Sequence, residues 1–129
     1  MPITWDFKNK VGEAFYEYEN GEQMQVNLYQ GNALLIFVQE FTEDGVDKYR
    51  LDMFFNDLDH AKRTLGLLKG SDGKKTNLFT AYEPRLVKIR FDKSKCREWK
   101  KLVDVFSKAS FENFTIELYT SSSDKEETT

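Results

Sequence analysis

The chain has little cysteine, histidine or proline: one, one and two residues among 129. A single cysteine excludes an internal disulfide framework and makes a reducing, intracellular setting the expectation. With His60 the only histidine, a serine–histidine or cysteine–histidine pair or an imidazole-rich metal site has almost nothing to be built from. No apolar run approaches the ~20 residues that cross a bilayer. The start, MPITWDFKNK, carries no apolar signal core, so no secretory peptide is expected.

Aromatic residues, by contrast, are plentiful, with eleven Phe, six Tyr and two Trp. The net charge of −3 hides a strong polarity along the chain. Residues 1–60 carry a balance of −8, residues 61–110 one of +9 and residues 111–129 one of −4. A basic middle in a weakly acidic chain suggests a local anionic partner. Acidic and basic segments that face each other within one fold would account for it equally well.

Residues 85–106, RLVKIRFDKSKCREWKKLVDVF, read as a strand running into a helix. Val87, Ile89 and Phe91 alternate with Lys88 and Arg90. Ser94 can cap a helix over 94–108 whose stripe is Cys96, Trp99, Val103 and Phe106. The same grammar stands 38 positions earlier, in YRLDMFFNDLDHAKRTLGLL. There Tyr49, Leu51 and Met53 alternate, Asn56 or Asp57 caps, and Leu58, Ala61, Leu65 and Leu68 form the stripe of a helix over 57–69.

Ahead of these lie strands over 13–19 and 24–30, joined by Asn20-Gly21, a type I′ hairpin signal. ALLIFVQEF, residues 33–41, is apolar on both faces and marks a central strand. Glu43-Asp44-Gly45 turns the chain into strand 46–54. KGSDGKKTN (69–77) is a flexible loop, followed by strands over 77–82 and, after the second helix, 113–119. The expected fold is one α+β domain over 1–120, ordered β-β-β-β-α-β-β-α-β, an antiparallel meander with two helices on one face. Residues 121–129 are too polar to offset their ordering entropy and should form a disordered acidic tail.

GSDGKKT lacks the Gly-Lys-Ser/Thr of a P-loop and joins a helix to a strand, the reverse of what a P-loop needs. Asp57, Asp59 and His60 suit a helix start better than a metal. Cys96 sits on an apolar stripe, as packing rather than as a nucleophile. The expectation is a protein without an active site, metal or cofactor.

What remains is aromatics interleaved with cations. If Val87, Ile89 and Phe91 pack under the helices, Lys88 and Arg90 emerge opposite, with Lys48, Arg50 and Phe54, then Tyr29, and Phe37 from the central strand. Lys74 and Lys75 add a basic loop. Rings among cations suit single-stranded nucleic acid, since bases stack at ~1–3 kcal/mol each while cations track phosphates. The same rings could be a second core layer or an oligomer surface.

The four-strand meander and helix of residues 13–69, with REWKKLVDVF after an alternating strand, resemble the whirly-type single-strand-binding domains, including the Pur-alpha repeats and the small transcriptional coactivators. The resemblance implies binding of single-stranded DNA or RNA and assembly as dimers or tetramers. The second half departs from that repeat, having two strands before its helix and one after it. From a different class, the acidic first half, with Glu13, Glu17, Glu19 and Glu22, suits an interaction or inhibitor protein that meets a basic partner. Leu67 and Val105 take the same off-stripe place in the two helices, which predicts a dimer contact there.

Overall fold

In this computed structural model, residues 4–68, 84–111 and 114–121 are described. Strands β1 (Trp5–Glu17), β2 (Gln23–Gly31), β3 (Leu35–Glu43) and β4 (Val46–Phe55) form an antiparallel meander. Helix α1 (Leu58–Thr64), β5 (Leu86–Asp92), α2 (Trp99–Lys108) and β6 (Thr115–Ser121) follow. The sheet order is β4-β3-β2-β1-β5-β6. β5 runs antiparallel to β1, but β6 lies parallel to β5, so the sheet is mixed, not wholly antiparallel as expected. The cause is α2, a crossover that returns the chain to the starting end of β5. The strand expected over 77–82 lies outside the described residues.

Both helices pack on one face. Ala61 and Leu65 of α1 and its cap share a buried cluster with Leu102, Val105 and Phe106 of α2. The sheet supplies alternate residues to that cluster: Ala14 and Tyr16, Val26 and Leu28, Leu35 and Phe37, and Val87, Ile89 and Phe91. This is the period of two that the sequence carries.

The helices are shorter than their periodicity suggests. Asp57 caps α1, its carboxylate accepting from the His60 N–H at 2.8 Å. α1 ends in a left-handed Gly66 (φ 74°). The Leu67 N–H donates to the Lys62 carbonyl and the Gly66 N–H to the Arg63 carbonyl, a Schellman closure. That turn sends Leu67 back against the main core, half-buried. α2 starts at Trp99, after Glu98 in the left-handed region. Ser94 instead donates to the Asp92 carboxylate in a turn, and Cys96 lies in the buried connection. A start five residues late puts Leu102, Val105 and Phe106 at the centre of the stripe. Val105 is therefore 2% exposed, core rather than a dimer contact.

Three irregularities set the sheet's geometry. In β1 the register shifts at Lys10/Gly12, where a β-carbon on Gly12 would stand 2.2 Å from the Arg90 carbonyl oxygen. Only glycine permits that approach. Before it, residues 5–9 form an arm that leaves the ladder and lies over the outer face. In β4, Phe37 pairs with Met53 but Val38 with Leu51, so Asp52 is an extra residue. At the hairpin turns, Asp44 and Gly45 both take positive φ (54° and 75°), the pair that a type I′ turn requires. At Asn20-Gly21 only Gly21 does so.

Candidate binding surface

The outer face, away from the helices, carries a second apolar layer over β2, β3 and β4. Tyr29, Ala33, Ile36 and Val38 are buried there, with Trp5 and Phe54 packed on them. The arm supplies the cover. Phe7 stands edge-on to Tyr29 at 5.1 Å and lies 5.0 Å from Tyr49, and Trp5 meets Tyr49 at 5.9 Å. Tyr29 is thus on the expected face but only 4% exposed. Its hydroxyl donates to Glu40 at 2.9 Å. Burial first, and that hydrogen bond second, push its pKa up to about 12.

The bulge at Asp52 divides the expected cations from the expected rings. Beyond it, Lys48 pairs with Phe41 and Arg50 with Gln39 across the ladder, so both cations lie on the helix side. Each is paired: Lys48 with Glu43 at 2.8 Å and Arg50 with Asp52 at 3.2 Å. Tyr49 and Leu51, expected in the core, turn outward instead, opposite Glu40 and Val38. Phe54, on the other side of the bulge, faces outward, half-buried against His60 at 5.6 Å. Phe37 faces the helices and is fully buried, 6.5 Å from Phe55 and 6.4 Å from Phe106. It cannot stack on a base.

On the other half of the face, Lys88 and Arg90 do point outward. Lys88 pairs across the ladder with Phe15, and Arg90 with Glu13. Arg90 donates to Glu13 at 2.9 Å and also to the Ser121 hydroxyl. Glu13 takes Lys10 as well, at 3.0 Å. Burial by itself would raise its pKa, but the hydrogen bonds from Lys10 and Arg90 outweigh that and hold it low. Of the outward cations proposed from sequence, Lys88 alone has no ion pair among the described residues. Lys74 and Lys75 lie outside them.

Exposed apolar side chains stand where the cations thin out. Phe41, Val46, Tyr49 and Leu51, 37–56% exposed, lie on the β3–β4 hairpin, whose residues 40–51 are all exposed. Phe7 (42%), Phe15 (36%) and Tyr119 (49%) complete the set. Glu40, Glu43, Asp44 and Asp47 surround the hairpin tip. A shallow cleft of about 430 Å³ runs between Phe7, Phe41, Lys48 and Tyr49.

The remaining polar groups are structural. Gln30, 1% exposed, accepts from the Arg97 N–H at 3.0 Å and donates to the Arg97 and Leu34 carbonyls. That holds the β5–α2 connection to the β2–β3 turn. Burial pushes the Cys96 thiol up to about 12, against the pull of Arg97, so it is no nucleophile at neutral pH. No cluster of metal-ligating side chains occurs among the described residues. No described helix is long and apolar enough to cross a membrane. No family model, curated protein or solved structure matches the chain.

Proposed function

We propose that this chain is a non-catalytic protein-binding module that presents the tip of its β3–β4 hairpin to a partner with a basic, partly apolar surface. The observation that carries this reading is the hairpin itself. It projects past the pairing of β3 with β2, which ends at Val38, and it is exposed along its length. Apolar Phe41, Val46 and Tyr49 stand there beside four carboxylates. An apolar patch rimmed by one sign of charge is the usual mark of a protein contact, and the charge would steer a basic partner. Affinity capture with the full chain should recover one stoichiometric protein that resists nuclease and is lost with Val46→Lys. Recovery of nuclease-sensitive material alone would count against the reading.

A second reading, single-stranded nucleic acid, rests on cations without ion pairs among the described residues: Lys88 on the sheet, and Lys93, Lys95 and Lys100 near α2. The ammonium groups of Lys93 and Lys100 lie 5.5 and 5.7 Å from the centre of the Trp99 ring. The pattern shared with whirly-type domains supports the same reading. Fluorescence anisotropy with labelled oligonucleotides should then show binding that falls steeply as salt rises. No binding to DNA or RNA at low salt would end it.

A further inference from the structure

We infer that the outward face of the sheet is the contact surface for a second copy of this chain, packed face to face about a two-fold axis parallel to the strands. The inference is independent of the hairpin-tip reading, because it uses the sheet below that tip.

Two rows of side chains cross the face. One holds Tyr49, Glu40, Gln25, Phe15, Lys88 and Glu117, all exposed. The next holds Leu51, Val38, Asn27, Glu13, Arg90 and Tyr119. A two-fold axis between β2 and β1 lays β4 on the other copy's β6, β3 on β5, and β2 on β1. Row by row, this sets Glu40 against Lys88 of the other copy and Leu51 against its Tyr119, each twice. Such a patch complements itself, as an isologous contact must.

Charge and size agree with that occupant. The face carries Lys10, Lys88 and Arg90 against Glu13, Glu40, Asp47 and Glu117, close to balance, so a copy is not repelled. A polyanion would instead meet four carboxylates. Six strands ~4.8 Å apart and about seven residues long project to roughly 650 Å². That approaches the ~800 Å² each partner buries in a standard interface. Phe15, Leu51 and Tyr119, exposed at 36–49%, would lose their water there.

Sedimentation equilibrium of the full chain at micromolar concentration should find a species of twice 15.2 kDa. Glu40→Lys alone and Lys88→Glu alone place like charges together and should each weaken the dimer about tenfold or more. Mixing the two variants should restore it, since each then carries the charge that the other lacks. Recovery on mixing also demonstrates that both variants fold. A monomeric wild type, a dimer indifferent to both substitutions, or a mixture that stays monomeric would overturn the inference.

Discussion

Phe37→Ala separates the two faces of the sheet more sharply than any other single change. Phe37 is fully buried between the rings of Phe55 and Phe106, on the central strand. Deleting the ring removes its transfer free energy and leaves a cavity that neighbouring rings cannot fill by small shifts. The expected loss is ~3–5 kcal/mol. For a domain of this size that lowers Tm by roughly 15–25 °C. Trp99→Ala is the natural control, because Trp99 is half-buried and carries two ammonium groups near its open ring. It loses part of a transfer term and a cation–π contact but opens no closed cavity, so about 1–2 kcal/mol is expected. Urea unfolding followed by far-ultraviolet circular dichroism measures both, and the slope should stay constant while the midpoints move. If Phe37→Ala cost no more than Trp99→Ala, or left stability intact while changing ligand binding, β3 would be in the other register and the site argument would fall.

Three further outcomes follow from the same geometry. Gly12→Ala should cost ~1–3 kcal/mol of unfolding free energy, since its methyl would press on the Arg90 carbonyl; an unchanged urea midpoint would refute the close approach. Asp57→Ala should cost ~0.5–2 kcal/mol through the lost cap of α1, and Asp57→Asn should recover most of it in the same assay. Tyr29 has its folded pKa raised to about 12, so its contribution is complete below the ordinary tyrosine value near 10 and is lost as pH rises through about 12. Tyr29→Phe should therefore flatten the fall of the urea midpoint across that window, and parallel curves would refute the assignment.

The strands were legible because their signal is short-range. Val87, Ile89 and Phe91 face the helices while Lys88 and Arg90 face away, and β3 is apolar on both sides because it is covered on both. The α+β class and the placing of both helices on one face follow from those patterns. The direction of β6 was not legible, because a strand carries no mark of parallel or antiparallel pairing. The start of α2 was missed for a related reason. Ser94 is a good cap in isolation, but Asp92 takes its hydroxyl and N–H, and Gln30 from a distant strand holds Arg97, delaying the helix to Trp99. Period alone could not show that the frame begins five residues later, so Val105 seemed to lie off the stripe.

The largest change in the functional reading comes from one residue. Along VDKYRLDMFF the alternation of polar and apolar side chains is unbroken through Met53, and period two assigns Tyr49 and Leu51 to the same face as Met53. Asp52 adds a residue that β3 does not match, and from there toward the tip every side chain changes sides. That moves Lys48 and Arg50 off the outer face, where they would have continued the line of Lys88 and Arg90, and gives each a carboxylate. It brings Tyr49 and Leu51 onto that face in their place. A basic platform with occasional rings becomes an apolar surface with balanced charges. Phosphates bind the first, and the second suits another protein. The bulge thus decides the class of partner as well as the course of β4, and this is why protein contact takes precedence over nucleic acid.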